Sequence, residues 1–222
     1  MKTLRCLLCL MILASILSAC TKQSQGGTAV VDSPCSIPCW QNITPGVTKA
    51  EDLEKLLQVV PDIDKNGIVK LPAWDIFDGV YRFAFKDQRV EGVAYIKNDL
   101  VNQIHIDGEL NVPIDQIIQL YEKPEKLIVS TIVNPGRFGG SGIILEINLV
   151  YISKGVAFSF LNRDLNLITI KADALIKKVI YAEPETIVRL VSQDERTLEQ
   201  LEQQERAFDW NGYQEIKFNP KK

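Results

Sequence analysis

The chain has 222 residues and a formal net charge of −3, with 25 basic and 28 acidic side chains mixed along its length. It has no basic stripe, so nucleic acid is not an expected partner. With one histidine in the sequence, a zinc site that needs a histidine pair is excluded. After the apolar amino-terminal segment about 200 residues remain, enough for one sizeable domain or two small ones.

The amino terminus has the pattern of a secretory signal. Two basic residues are followed by residues 7–17, which are almost wholly apolar. This stretch is well short of the roughly 20 apolar residues that span a bilayer. The small residues Ser18 and Ala19 then precede Cys20, as cleavage by a signal peptidase requires. We therefore expect residues 1–19 to be a signal peptide.

A cysteine directly after this small pair resembles the bacterial lipobox, whose cysteine receives a diacylglyceryl group and becomes the first mature residue. The resemblance implies a lipoprotein anchored through Cys20 by acyl chains such as palmitate. Each buried methylene contributes about 0.8 kcal/mol, and two chains suffice for lasting attachment. The expected location is the bacterial cell membrane or outer membrane, with the domain outside the cytoplasm and the bilayer as a partner. The alternative is an ordinary signal peptide, or a short membrane helix, with an incidental cysteine.

Two of the remaining cysteines point to a disulfide. Cys6 and Cys9 lie in the signal segment, which leaves Cys35 and Cys39 as one pair beyond Cys20. An exported protein meets an oxidising compartment, where such a pair is expected to bridge. One helical turn would bring their α-carbons to about 6 Å, within the range for a disulfide. Copper binding or thiol exchange is the alternative, but no histidine or methionine lies nearby.

The composition divides the mature chain into three parts. Residues 20–34 form a polar, glycine-bearing tether that would reach on the order of 20 Å as a random coil. Residues 35–218 are expected to form a single globular domain. Residues 219–222 are a frayed tail.

The first predicted element of the domain is a helix with Thr48 as its cap and Glu51 completing a capping box. Leu53, Leu56 and Leu57 lie on its apolar face. From residue 74 to residue 107 the apolar period drops to two, which predicts short strands separated by turns.

The order of a helix followed by strands is then predicted a second time. A second apolar helix face is predicted at Ile114, Ile117, Ile118 and Tyr121, followed by strands within residues 126–133, 143–152, 155–161 and 167–182. The carboxy-terminal elements are an exposed helix at residues 194–208 and a last strand near residue 216.

These elements predict an α+β fold, with helices packed on one face of a mostly antiparallel sheet. The links between strands are too short for parallel crossovers. Residues 44–110 and 111–182 are possible repeats, which would make two tandem helix-plus-sheet units.

Two short runs carry a family resemblance. Residues 38–48 (PCWQNITPGVT) and residues 210–213 (WNGY) resemble the corresponding elements of a group of uncharacterised bacterial lipoproteins. Membership of that group would imply a cellular location and a fold, but it implies no catalytic activity. At the level of the fold alone, a helix followed by a small sheet is similar to small outer-membrane assembly lipoproteins and to β-lactamase inhibitor proteins, which act by protein–protein contact.

Three segments are candidates for binding. Asp62, Asp64 and Asn66 match the first oxygen ligands of a calcium loop, but Ala73 stands where the bidentate glutamate belongs. Asn66-Gly67 is also a hairpin-turn signal, so a plain turn is the alternative. The glycine-rich residues 134–142 predict a long hairpin tip, with Arg137 and Phe138 as possible contact residues.

The sequence selects no catalytic residue and no cofactor. His105 alternates with Ile104 and Ile106, which predicts a solvated position shared with Gln103 and Asp107. Carboxylates that could pair for glycosidic cleavage are present, but no spacing selects a pair among them; they are Asp75, Asp78, Asp107 and Glu109. The leading hypothesis is a non-enzymatic binding or scaffolding lipoprotein of the cell envelope, with another envelope protein as partner. The alternatives are a solute- or calcium-binding lipoprotein, or a hydrolase or redox protein of unrecognised type.

Overall fold

The computed structural model of the protein describes residues 34–135, 141–193 and 195–219. Cys20, the predicted lipid site, and Arg137 and Phe138, the predicted contact residues, lie outside these ranges. Among the helices within them, none has the length and apolar character needed to cross a membrane.

The described ranges contain four α-helices and eleven β-strands. The helices are α1 (Ala50–Val59), α2 (Ile114–Tyr121), α3 (Ile187–Ser192) and α4 (Leu198–Gln203). The strands are β1 (Val69–Leu71), β2 (Gly79–Ala84), β3 (Val90–Lys97), β4 (Leu100–Gly108), β5 (Lys126–Pro135), β6 (Ser141–Tyr151), β7 (Val156–Asn162), β8 (Leu167–Thr169), β9 (Lys178–Ala182), β10 (Ala207–Asp209) and β11 (Glu215–Lys217).

Nine of these strands form one sheet in the order β1-β2-β3-β4-β9-β7-β6-β5-β10. Every neighbouring pair is antiparallel. Helix α1 precedes the meander β2–β3–β4, and α2 precedes the meander β5–β6–β7. Strand β9 pairs with β4 on one side and with β7 on the other, so it joins the two meanders. The predicted α+β class with a mostly antiparallel sheet is confirmed.

The first face of the sheet carries the larger core. Leu53 and Leu57 of α1 and Ile117 of α2 are fully buried in it. Trp40 also lies there, with its ring stacked on Phe83 at 5.5 Å. Burial of each such side chain contributes about 1.5–3 kcal/mol, which holds both helices against the sheet.

The second face is covered by the other two helices. Ile187 and Val191 of α3 and Leu201 of α4 pack on strand residues that alternate with those of the first core. These strand residues are Ile128, Val150, Ala157, Ile180, Ala182 and Ala207. The prediction that the helices share one face is therefore wrong. Both sides of β5, β6, β7 and β9 carry buried residues, and the second side mixes apolar positions with the buried polar Ser130, Asn148 and Ser159. The apolar part of each side needs cover.

The segment before α1 is fixed to the sheet. Cys35 and Cys39 lie at disulfide-bond distance with α-carbons 5.7 Å apart, which confirms the predicted pair. The predicted capping box is wrong, because Thr48 Oγ1 accepts a hydrogen bond from the backbone of Thr44 at 2.8 Å. The helix begins one residue after Lys49, which makes no side-chain cap bond.

The predicted helix at residues 194–208 is shorter in the structure. It is reduced to α4, which Thr197 and Gln200 cap reciprocally. The chain then extends into β10, where Phe208 pairs with Leu127. Strand β5 thereby gains a partner on its outer side.

Candidate binding surface

The second face of the sheet is only partly covered by helices. Among the described residues, the core under α3 and α4 takes strand residues from β5, β6, β7, β9 and β10, and none from β1 to β4. We call the second face of β1–β4 the open face. Its side chains follow from the strand register, because directly paired residues of antiparallel strands point to the same side.

Three rows of side chains cross the open face. The first row is Leu71, Val80, Tyr95 and Gln103. The second row is Val69, Arg82, Val93 and His105. The third row is Ala84, Glu91 and Asp107, and it continues onto Lys178 of β9. The surface therefore changes from apolar to charged along the strands.

An apolar groove of about 350 Å³ lies at the first two rows. One wall is the segment at residues 72–77, in which Trp74 and Phe77 exchange two backbone hydrogen bonds of 3.1 Å. The Phe77 ring packs against the Tyr95 ring at 4.7 Å, and Trp74 remains 65% exposed. The groove is lined by Leu71, Pro72, Ala73, Trp74, Val80, Arg82, Val93 and Tyr95.

Beside the groove, β4 presents Gln103, His105 and Asp107 at alternate positions. Oε1 of Gln103 and Nε2 of His105 are buried, and neither has a hydrogen-bond partner among the described residues. The prediction that His105 is solvated is wrong for its Nε2, which is enclosed, but the residue as a whole is half-buried, and it shares its face with Gln103 and Asp107 as expected. The half-buried Tyr95 ring contacts the His105 imidazole edge-on at 5.2 Å and covers part of it.

Two pKa values on this row are displaced in opposite directions. Burial lowers the pKa of His105 to about 4, with a smaller effect from the charge of Lys178, so the imidazole is neutral at pH 7. Desolvation raises the pKa of Asp107 to about 6; Lys178 opposes this rise and the acids Glu146 and Glu91 add to it. Both shifts show that the charged forms of these two side chains lack adequate partners.

The cation near Asp107 is paired more closely with another carboxylate. Lys178 Nζ lies 2.6 Å from Oε1 of Glu146 and 4.0 Å from Asp107. Glu146 is buried, with 4% of its side chain exposed, and its other oxygen accepts from Gln193 at 3.2 Å and from Ser130 at 3.3 Å. Glu146 and Lys178 therefore connect the sheet to the end of α3.

A second depression, of about 410 Å³, lies between the last two strands. It is lined by Phe208, Asp209, Asn211, Gln214, Glu215, Ile216 and Lys217. It is larger than the groove, but its lining is polar and solvated. Because it has no buried polar group without a partner among the described residues, it is the weaker candidate.

The predicted calcium segment forms a short 3₁₀ turn. Asp64 Oδ1 accepts a hydrogen bond from the backbone of Asn66 at 3.0 Å, and the carbonyl of Asp62 accepts one from the backbone of Lys86. Within the described part of the chain, no three His, Cys, Asp or Glu side chains gather to hold a metal ion.

The four carboxylates considered for catalysis have separate environments. Asp78 accepts a hydrogen bond from the backbone of Asn98, and Glu109 pairs with Arg89 at 2.7 Å. Asp75 has a left-handed backbone with φ of 55°. Of these carboxylates, Asp107 is the one that the register places on the open face.

Sequence reasoning did not find the groove. The prediction began the strands at residue 74, whereas residues 72–78 lie between β1 and β2 and residues 72–74 line the groove. The signal that was present is Trp74, a large apolar side chain at the start of the predicted strand region.

Comparisons with known proteins supply no identity. No protein-family model matches the chain, and no curated protein or solved structure matches it.

Proposed function

We propose that this protein is a lipid-anchored, non-enzymatic binding or scaffolding module of the bacterial cell envelope. The lipid is on Cys20, and a protein partner binds the open face. The observation that carries this proposal is the apolar groove, in which Trp74 is 65% exposed beside a row of polar side chains. Exposed apolar surface rimmed by polar residues is typical of interaction sites.

The position of α1 is consistent with the same proposal. The start of α1 is bonded to the β3–β4 turn, where the backbone of Ala50 donates to Asp99 at 2.8 Å. The residue after the groove segment, Asp78, accepts a hydrogen bond from Asn98 of the same turn at 2.5 Å. The start of α1 and the groove segment therefore meet at one turn of the sheet. A lipid on Cys20 would keep the whole domain, and with it the groove, within reach of the membrane surface.

The hypothesis of two tandem units is part of this proposal. Apart from the short β1 in the first run, α1–β2–β3–β4 and α2–β5–β6–β7 have the same order of elements, and β9 lies between the two in the sheet. A duplicated helix-plus-sheet unit accounts for that order. β-Lactamase inhibitor proteins, which the predicted order of elements resembles, hold two such units and act by protein contact, and we take this resemblance as support for a protein partner over a small substrate.

The anchor is tested by metabolic labelling of the native host with a palmitate analogue. We expect the wild-type chain to carry the label and to fractionate with membranes, because the acyl chains partition into the bilayer. Cys20→Ala should lose both properties. A label that persists in Cys20→Ala, or a wild-type chain without label, would contradict lipidation at this residue.

The binding role is tested with a photo-crosslinking amino acid at Trp74 in living cells. Val59 is the matched control, because it is 72% exposed but lies on α1, which packs against the first face. We expect one dominant adduct with an envelope protein from position 74 and none from position 59. Equal adduct patterns at the two positions, or no adduct at position 74, would refute binding at the open face.

A further inference from the structure

The open face has more hydrogen-bond acceptors than its own chain satisfies. Gln103 is 4% exposed, and its Oε1 and the neighbouring His105 Nε2 have no partner among the described residues. Leaving a buried polar atom unpaired costs about as much as a hydrogen bond contributes, so folded proteins rarely tolerate it. Two such atoms at alternate positions of one strand indicate a site that is completed by another molecule.

The charges beside these atoms are not balanced. Around Asp107, three acids face two bases, so the cluster is short of one positive charge. The cluster consists of Glu91, Asp107, Glu146, Arg82 and Lys178. Glu91 is paired with Arg82 at 3.1 Å and Glu146 with Lys178 at 2.6 Å, so Asp107 shares Lys178 at the longer distance of 4.0 Å and has the weakest pairing of the three acids. Its side chain is 41% exposed, so a cation from outside can reach it.

A cation at this position meets no repulsion from the imidazole beside it. The pKa of His105 lies at about 4, so the ring is neutral at physiological pH. In one tautomer its Nε2 accepts a hydrogen bond, as the oxygens of Gln103 and Asp107 also do. Access requires the half-buried Tyr95 ring to turn away from His105, which opens the row toward the groove.

Building on the proposed function, we infer that the partner presents a segment in which an arginine or lysine lies next to a large apolar side chain. The apolar side chain occupies the groove beside Trp74, and the cation pairs with Asp107. An N–H of the cation donates to the neighbouring His105, and another N–H of the same segment donates to Gln103, which lies two positions further along the strand. A bare cation leaves the groove empty, and a purely apolar segment leaves Asp107 unpaired.

The test is selection of a displayed library of random dodecapeptides on the full-length protein held in detergent micelles. We expect enriched peptides to carry arginine or lysine within a few residues of an aromatic or aliphatic side chain. Asp107→Asn should weaken binding of the enriched pool tenfold or more, because charge-assisted hydrogen bonds are lost. Glu54→Gln, an exposed change on α1, should leave it unaltered. Asp107→Lys should reverse the preference toward acidic peptides.

The outcomes separate this inference from the proposed function. A pool whose binding depends on Trp74 but contains no excess of basic residues overturns the inferred partner chemistry and leaves the binding role intact. The absence of any enrichment, or a pool unaffected by both Trp74→Ala and Asp107→Asn, overturns both. Thermal unfolding of each variant shows whether the fold persists, and Asp107→Lys supplies a gain of binding that misfolding cannot produce.

Discussion

Gly92 is the position where the addition of one methyl group should matter most. It lies in β3 directly opposite Phe83, and an added Cβ would lie 2.7 Å from Cδ2 of that ring and nearer still to two other ring carbons. The ring has little room to move, because Phe83 is 1% exposed and stacks on Trp40 at 5.5 Å. Overpacking a core typically costs 1–3 kcal/mol. Because the Phe83 ring cannot move away, we expect Gly92→Ala to lower the free energy of unfolding by about 3 kcal/mol.

The assay is urea unfolding, with Gly79→Ala as the matched control in the neighbouring strand. A Cβ at Gly79 would meet the carbonyl oxygen of Leu71 at an ordinary van der Waals distance of 3.9 Å. That variant should be neutral or gain up to about 1 kcal/mol, because alanine restricts the unfolded chain. In a Phe83→Ala background the effect of Gly92→Ala should vanish, which measures the coupling directly. A loss below about 1 kcal/mol, or a loss independent of Phe83, would refute the steric argument.

Two further predictions concern the polar groups of the second face. Glu146→Gln should lower the free energy of unfolding in urea at neutral pH by about 2–4 kcal/mol, because it removes the counter-ion of the mostly buried Lys178. Glu91→Gln, which breaks an exposed ion pair, should lower it by at most about 1 kcal/mol. Equal losses would show that burial of the pair is unimportant. The pKa of His105 falls from 6.5 to about 4 on folding, so the unfolded chain binds the proton first as the pH is lowered. Between pH 6.5 and pH 4 the wild type should therefore lose stability relative to His105→Gln, by up to about 1.4 kcal/mol per pH unit. Asp107, with a pKa raised from 3.8 to about 6, acts in the opposite direction in both chains and cancels in the comparison, so a wild-type-to-variant difference that is constant with pH would contradict the burial of His105.

The local patterns of the chain predict the first face well. Tyr81, Phe83 and Phe85 alternate along the sequence, and all three are buried in the first core. Leu53 and Leu57 on the predicted helix face are buried there as well. These residues could be assigned because an amphipathic period of 2 or 3.6 depends only on neighbours in sequence.

The second face was not predictable in the same way. Helix α3 has the sequence IVRLVS, whose β-branched residues favour strand, and its six residues are too few for a clear helical period. It is helical because Ile187 and Val191 pack on the sheet. The burial of His105 likewise depends on the Tyr95 ring and on Ile180, which pairs with it from 75 positions later in the chain.

The capping residues illustrate a competition between local and distant bonds. Thr48 and Glu51 have the spacing of a capping box, but the backbone of Val101 donates to the carbonyl of Thr48 at 2.8 Å and Lys49 pairs with Leu100. This attachment to β4 holds the chain extended through Lys49, so the helix cannot begin earlier. A pattern read along four residues does not contain that information.

The place of β9 in the sheet also constrains the order in which the protein is completed. A chain is synthesised from its amino terminus, and each of the two meanders can pair its own strands as soon as it emerges. Their inner edges, on β4 and β7, stay open until residues 178–182 arrive, because β9 is the strand that both edges require. Until then the nascent molecule carries two unpaired edges, which are surfaces on which strands of other chains can add. A chain whose synthesis stalls before residue 178 therefore has two separate half-sheets, and the late, short strand β9 is what joins them.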